Sequence, residues 1–177
     1  MEIINLDQID ITTLESHIKA HVSNFVDQPG LEPYTLYSFF SSRLKAGAKV
    51  ADLGTLQGLS ALALSYNPDV QVTSYDIDLS KNIVEKDSII FVQGNCFDHL
   101  DDILQSDLIL IDIDPHDGIQ EQDFYDILLQ KHYSGITLWD DIHHNLGMKN
   151  FWHKVESKKT DLTNVGHHSG TGLIEFR

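Results

Sequence analysis

Acidic residues follow two apolar runs of this sequence at positions where they can act together. Asp112 and Asp114 come directly after one run, and Asp140 and Asp141 come directly after another. Carboxylates gathered at one place repel one another unless a positive charge compensates them. A hard divalent cation is the simplest compensation, because Mg²⁺ takes a few carboxylates together with water or substrate oxygens. The pattern predicts a candidate magnesium site, with helix caps and solvated loop acids as the alternative explanation.

A glycine turn between an apolar strand and an apolar helix is the most informative segment. Asp52 lies near the end of the strand, and Gly54 and Gly58 lie in the turn. Glycines there let a ligand approach the backbone closely, and the helix N-terminus presents free N–H groups. Asp76 ends the next apolar run, about 20 residues further on, where an acid can bind both hydroxyls of a ribose. The pattern predicts a nucleotide-cofactor site; the alternative is a tight turn followed by a solvated strand end.

Two cofactors suit this turn. A nicotinamide dinucleotide carries a pyrophosphate and prefers Gly-x-Gly-x-x-Gly, but Leu56 stands at the central glycine position. S-adenosylmethionine (SAM) carries a sulfonium cation and no phosphate. An acid in the first strand, such as Asp52, attracts that cation and would repel a pyrophosphate. The balance favours SAM.

The elements that must position these residues alternate between short apolar runs and helical stretches. Such runs, buried on both faces and each followed by a helix, indicate an α/β fold with a Rossmann-like, doubly wound, mostly parallel sheet. The last two strands have no helix between them, which predicts a hairpin with one antiparallel strand at the sheet edge. One domain is expected, with an N-terminal helical layer (1–47) and a cofactor-binding core (48–177). Predicted strands are 49–53, 70–75, 88–93, 107–111, 135–139, 161–165 and 172–176; predicted helices are 11–26, 33–45, 58–66, 79–85, 97–104, 120–131 and 146–156.

Composition excludes some partners. The 177 residues include 12 Lys+Arg against 27 Asp+Glu, a net charge of −15. Such a surface repels nucleic-acid phosphates and anionic membranes, so a small molecule is the expected partner. The single cysteine, Cys96, cannot form an internal disulfide, and the first ten residues lack the basic region of a signal peptide. A soluble, cytoplasmic protein is expected.

The glycine turn also resembles a known motif. Asp52-Leu-Gly-Thr-Leu-Gln-Gly-Leu-Ser60 is similar to motif I of the class I SAM-dependent methyltransferases. More narrowly, it resembles the small-molecule O-methyltransferases that carry a Gly-Thr-x-x-Gly-x-Ser variant. The resemblance implies a seven-stranded sheet with a reversed last strand. It also implies a cofactor site in which Asp76 binds the ribose and Asn95 and Cys96 line the adenine. The other cofactor-binding residues that it implies are Asp52, Gly54, Thr55, Gly58, Ser60 and Asp112.

The acids match a second feature of these O-methyltransferases. Metal-dependent members, among them macrocin-type and other sugar O-methyltransferases and the more distant catechol and caffeoyl-CoA types, bind their cation after the fourth and fifth strands. The resemblance implies Asp112, Asp140 and Asp141 as metal ligands. The sugar-modifying members imply Asp114 as the general base. The catechol and caffeoyl-CoA types have a lysine where Pro115 stands here, which leaves Asp114 or His116 as the base. His143, in the loop after the fifth strand, is a further catalytic candidate.

Together these features predict SAM-dependent, Mg²⁺-assisted methyl transfer to a hydroxyl of a small molecule. A metal lowers the pKa of a substrate hydroxyl, a base takes its proton, and the oxygen displaces the methyl group in line. A nicotinamide-dependent oxidoreductase and a catalytically silent relative that binds SAM or a metal remain alternatives. His167 and His168 are interpreted as turn residues. The aromatic stretch Tyr34, Tyr37, Phe39 and Phe40 caps the cofactor, contacts a second subunit of a homo-oligomer or packs in the core.

Overall fold

The computed structural model describes residues 4–21 and 30–176. Six helices and seven strands form this part of the chain, and short 3₁₀ turns connect some of them. The helices are α1 (Thr12–His21), α2 (Glu32–Ser42), α3 (Leu59–Leu64), α4 (Leu100–Ile103), α5 (Ile119–Gln130) and α6 (Leu146–Lys154). The strands are β1 (Lys49–Leu53), β2 (Gln71–Asp76), β3 (Ile89–Gln93), β4 (Leu108–Ile111), β5 (Ile136–Asp140), β6 (Lys158–Asp161) and β7 (Thr171–Glu175). None of the helices in these residues is both long and apolar enough to cross a bilayer.

The seven strands form one mixed sheet in the order β3-β2-β1-β4-β5-β7-β6. The pairs among β1 to β5 are parallel, and β7 runs antiparallel to both β5 and β6. This confirms the predicted doubly wound sheet with a reversed strand in the C-terminal hairpin. The reversed strand is not at the sheet edge, however, because β7 lies between β5 and β6. The order reverses between β1 and β4, the place where open α/β sheets bind ligands at the strand carboxyl ends.

Both faces of the central strands are buried. Along β4, Leu108 and Leu110 join one apolar core, and Ile109 and Ile111 join the other. Residues of α1, α2 and α3 contribute to the first core, and residues of α5 and α6 contribute to the second. A strand covered on both sides needs apolar residues at successive positions, which accounts for the unbroken apolar runs of the sequence.

Two predicted elements differ from the structure. The prediction of a helix over 79–85 is wrong, since only a 3₁₀ turn forms there, Leu79–Lys81. The side chain of Asn82 accepts a hydrogen bond from the N–H of Val84 at 3.0 Å, and such local bonds compete with a helix. The last part of the predicted first helix, up to Val26, lies outside the described residues.

Strand β6 lies three residues before its predicted position, so the predicted range 161–165 is wrong. The strand begins at Lys158 and pairs only with β7, so its free edge tolerates polar side chains. Leu162 and Val165, whose apolar character suggested a strand, lie in the following loop and pack against the first core. The apolar residues of 161–165 therefore reflect a buried loop and not a strand.

Candidate active site

The loop after β1 is shaped by close contact with the end of β4. Gly54 has φ +92°, and a Cβ atom at this position would overlap the carbonyl oxygen of Asp112. A side chain is excluded on both grounds, so only glycine lets the two segments meet. Gly58 has φ +85° and precedes the first residue of α3. The loop therefore presents its backbone to the carboxyl edge of the sheet, as the motif predicts.

Asp76, at the end of β2, lies beside this loop. Its Oδ2 atom accepts a hydrogen bond from the N–H of Leu56 at 2.8 Å, and its Oδ1 atom accepts one from the N–H of Asp78 at 2.9 Å. The carboxylate is thus held in one orientation against the glycine loop while remaining partly exposed. That position suits the predicted ribose-binding role.

Asp52 is fully buried and does not line the cleft described below. Its Oδ2 atom accepts hydrogen bonds from the hydroxyls of Ser74 at 2.6 Å and Ser60 at 3.0 Å. Burial raises the pKa of Asp52 to about 6, although these hydroxyls oppose the shift. Its direct contact is with Ser60 and Ser74 rather than with a ligand surface, so any effect on a cofactor cation would act through its charge.

Asn95 and Cys96 follow β3 at the same sheet edge. Asn95 is exposed, and its Oδ1 atom accepts a hydrogen bond from the N–H of Phe97 at 3.0 Å. Part of the acceptor capacity predicted for an adenine amino group is therefore used locally. Burial raises the pKa of the Cys96 thiol to about 11, so at neutral pH Cys96 is a buried thiol and not a nucleophile.

Two of the three predicted metal ligands, Asp140 and Asp141, contact a histidine that was predicted to be a turn residue, whereas the third, Asp112, lies beside His116. The His167 Nδ1 atom lies 3.2 Å from Asp140 Oδ2 and 3.2 Å from Asp141 Oδ1. The hydroxyl of Ser169 lies 2.8 Å from the same Nδ1 atom and donates a hydrogen bond to Asp141. The position of His167 follows from the antiparallel pairing of β5 with β7, in which Asp140 faces Thr171. The turn before β7 must therefore lie against the end of β5, and this pairing is not visible from residue spacing along the sequence.

Charges in this cluster are unevenly compensated. Burial and the carboxylates of Asp140 and Asp141 raise the pKa of Asp112 well above its usual range. Burial also disfavours the charged form of Asp141, but hydrogen bonds from His167 and Ser169 outweigh it and lower its pKa to about 2. The Asp140 Oδ1 atom is buried and has no hydrogen-bond partner. Burial opposes the charged form of His167, but hydrogen bonds and attraction from Asp140 and Asp141 outweigh it and raise the pKa of His167 to about 10, so its imidazolium supplies one positive charge, while the Asp140 Oδ1 atom stays without a partner.

The three candidate catalytic residues lie in different surroundings. His116 is largely buried, and its Nε2 atom lies 3.6 Å from Asp112 Oδ1 and 3.4 Å from Asp114 Oδ1. The Asp114 side chain is 94 % exposed. His143 points elsewhere, because its Nε2 atom lies 2.6 Å from Asp161 Oδ2 at the end of β6. The structure brings His116 and Asp114 to the acids and gives no support to the prediction for His143.

A small cleft joins the glycine loop to the acids. It encloses about 70 Å³, and its walls include the loop residues 54–57 together with Asp112 and Asp140. Tyr34 and Tyr37 of α2 form another wall, and burial raises the pKa of both phenols. Small-molecule pockets usually measure roughly 300–1,000 Å³, so this cleft fits one end of a cofactor. Of the predicted uses of the aromatic stretch, capping the site fits Tyr34 and Tyr37, and core packing fits Phe39 and Phe40.

Comparison with known proteins gives a consistent result for the fold. No protein-family model and no curated protein matches the sequence. A candidate caffeoyl-CoA O-methyltransferase structure from Staphylococcus aureus is 16 % identical with a TM-score of 0.62, covering 96 % of this chain and 93 % of that one. Cofactor-bound Rv0187 from MTB is 15 % identical with a TM-score of 0.53, covering 96 % and 99 %. A cmcI structure whose name includes Mg and SAM is 14 % identical with a TM-score of 0.53, covering 82 % and 72 %.

These similarities show that the chain has the fold of class I SAM-dependent methyltransferases. Its resemblance to O-methyltransferases extends from the motif segments of the sequence to the order and direction of the strands.

Proposed function

We propose that this protein is a SAM-dependent methyltransferase that methylates a hydroxyl of a small molecule with the help of a divalent cation. One observation carries the proposal: a single cleft has the glycine loop on one side and Asp112 and Asp140 on the other. A methyl donor held by the loop and an acceptor oxygen held at the acids would therefore meet. The strongly acidic composition supports a small-molecule acceptor rather than a nucleic acid.

The residues of the glycine loop fit SAM. Gly54 and its neighbours line the cleft where the loop meets Asp112, and Asp76 holds a carboxylate beside the loop. When bound, SAM supplies a methyl group activated by the sulfonium charge. The carboxylate of Asp76 lies beside the loop, and the buried Asp52 lies beneath it, which favours a cation over a pyrophosphate. The names of Rv0187 and cmcI structures, which mention a bound cofactor and SAM, support the same assignment.

The acid cluster fits a divalent cation, because the buried Oδ1 atom of Asp140 lacks a partner. Asp112, Asp140 and Asp141 would hold the ion, and Mg²⁺ suits such carboxylates. When bound, the ion would lower the pKa of the acceptor hydroxyl and fix its oxygen. The Mg in the name of the cmcI structure supports this assignment.

His116 is the residue best placed to take the acceptor proton. Its Nε2 atom lies 3.6 Å from Asp112 Oδ1 and 3.4 Å from Asp114 Oδ1, beside the acids at which the acceptor oxygen would be held. The Asn145 side chain donates a hydrogen bond of 2.6 Å to the backbone carbonyl of His116 and positions it. Tyr34 and Tyr37 exclude water from the opposite wall. In this division His116 is the base and Asp114 supports it.

Two measurements test the proposal. Calorimetry compares SAM with NAD, and a radiolabelled methyl assay runs a panel of sugar, phenol and polyketide acceptors with and without MgCl₂. SAM binding and label transfer are expected. The Asp140→Asn variant should lose turnover, whereas Asp123→Asn, on the exposed side of α5, should keep it. NAD binding without SAM binding would contradict the proposal, and SAM binding without transfer to any hydroxyl would favour a silent relative.

A further inference from the structure

The hairpin between β6 and β7 fixes a nitrogen atom inside the acid cluster. The backbone N–H of His167 donates to Thr171 Oγ1 at 2.8 Å, and the N–H of His143 donates to the carbonyl of Ser169 at 2.7 Å. These bonds attach the turn to both β7 and the loop after β5. The His167 side chain is only 14 % exposed. Its position is therefore built into the sheet and does not depend on a flexible surface side chain.

The distances within this group match those between atoms that share one metal ion. One atom each from Asp140, Asp141 and His167 lie within 4.8 Å of one another, and His167 Nδ1 is 3.2 Å from an oxygen of each acid. Metal bonds to nitrogen and oxygen are about 2.0–2.2 Å long, so neighbouring ligand atoms are separated by roughly 3.0–3.5 Å. Hydrogen bonding alone gives similar distances, so a second observation is needed.

That observation is the unpartnered oxygen of Asp140. Its side chain is 9 % exposed, its Oδ1 atom has no hydrogen-bond partner, and it lines the cleft. A buried carboxylate oxygen without a donor is costly. His167 contacts the other oxygen of the same carboxylate, so it leaves this demand unmet. The arrangement points to a ligand of the Asp140 carboxylate that would give the buried Oδ1 atom a partner while contacting the same group.

We propose that His167 is a metal ligand together with Asp140 and Asp141, and that this mixed nitrogen–oxygen site prefers a divalent transition metal to Mg²⁺. The inference rests on the proposed function, since it concerns the cation of the same site. Imidazole nitrogen binds Zn²⁺, Co²⁺ and similar ions well, whereas Mg²⁺ prefers oxygen ligands throughout. An oxygen-only set would need no histidine at this position.

The test uses metal alone, without SAM or acceptor. Metal-free protein is titrated with Co²⁺ and separately with Mg²⁺, by calorimetry and, for Co²⁺, by visible absorption. Removing a residue that merely supports a ligand costs about 10–100-fold in metal affinity, so His167→Asn should weaken Co²⁺ binding at least about tenfold. Mg²⁺ affinity should change far less, and the Co²⁺ absorption spectrum should shift. His153→Asn, on the exposed end of α6, is the matched control.

Three results would overturn the inference. They are Mg²⁺ binding as tight as Co²⁺ binding, unchanged Co²⁺ affinity in His167→Asn, and no metal binding at all, in which case His167 would serve only as a counter-charge to the acids.

If the His167→Asn variant does not fold, pulsed electron paramagnetic resonance of Mn²⁺ bound to the protein replaces the titration of that variant. In a His116→Gln background the Mn²⁺ signal should still show coupling to a histidine nitrogen, and its absence contradicts the inference. SAM binding and methyl transfer with Mg²⁺ are measured separately, so failure here leaves the proposed function standing.

Discussion

Gly118 and Gly147 lie so close together that neither has room for a side chain. A Cβ atom on Gly118 would overlap the carbonyl oxygen of Gly147, and one on Gly147 would overlap the carbonyl oxygen of Asp117. Gly118 precedes α5 and Gly147 lies in the first turn of α6, so this contact joins the loop after β4 to the loop after β5. Those loops carry the acids of the candidate site. Their separation is therefore set by a backbone contact.

Gly147→Ala should separate the two loops. Inserting a methyl group into close-packed structure usually costs about 1–3 kcal/mol, and the displaced acids should bind a cation more weakly. Thermal unfolding and calorimetry with Co²⁺ and Mg²⁺ measure the two effects. Lys149→Ala, at an exposed position of the same helix, controls for the helix itself. Unchanged cation affinity in Gly147→Ala would show that the contact does not position the acids.

Asp76→Asn should weaken SAM binding. The wild-type carboxylate accepts bonds from the N–H groups of Leu56 and Asp78, and an amide can accept with only one of its two polar atoms. A hydrogen bond to a charged group contributes about 1.5–3 kcal/mol, so calorimetry should show a loss of at least about tenfold. Asp78→Asn, an exposed acid two residues away, should bind SAM as the wild type does. An equal loss of SAM affinity in both variants would show that the net negative charge of this region matters and not the position of Asp76.

His116→Gln should lower kcat and leave SAM affinity nearly unchanged. A general base contributes typically 10²–10⁴-fold, so a fall of at least about a hundredfold is expected in assays at saturating SAM. His143→Gln serves as the comparison, because that side chain pairs with Asp161. A larger fall in kcat in His143→Gln than in His116→Gln would identify His143 as the base.

Asp52→Asn should change stability in a pH-dependent way. Burial raises the pKa of Asp52 from 3.8 to about 6, so between about pH 4 and pH 6 the folded protein binds more protons than the unfolded chain. Stability contributed by this group therefore falls as pH rises through that window and stays lower above it. At pH 7 the variant should be more stable by on the order of 3 kcal/mol, and at pH 4 the difference should vanish. Urea unfolding at both values measures it; a constant difference would refute the explanation.

Much of the fold follows from local sequence features. Apolar runs predicted six of the seven strands to within about one residue: five lie inside the sheet, and the edge strand β3 is apolar as well. Strand β6 was misplaced because its residues, Lys158–Asp161, are all polar, whereas the apolar Leu162 belongs to the buried loop that follows. The predicted helix over 79–85 failed because Asn82 bonds to its neighbour Val84, a competition that apolar spacing does not reveal.

The sequence predicted the site residues that belong to a motif, and it did not predict the one that distant strand pairing brings to the site. Asp112, Asp140 and Asp141 come together as their strand ends imply. His167 was assigned to a turn, because its role depends on which strand β7 pairs with and on the register of Asp140 with Thr171. Pairing of distant segments is a tertiary property, and the spacing of residues along the chain does not report it.

Asp112 contributes to both halves of the site. Its backbone carbonyl packs against Gly54 of the glycine loop, and Asp112 lines the same cleft as Asp140, with its side chain 3.6 Å from His116 Nε2. If SAM and a cation bind as proposed, both would contact this residue, so each can change the affinity for the other. Thermodynamic linkage then requires reciprocity: by whatever factor a cation changes the affinity for SAM, SAM changes the affinity for that cation by the same factor. Under the proposed function, the close approach of Gly54 to Asp112 is the contact through which donor and ion would affect each other's binding.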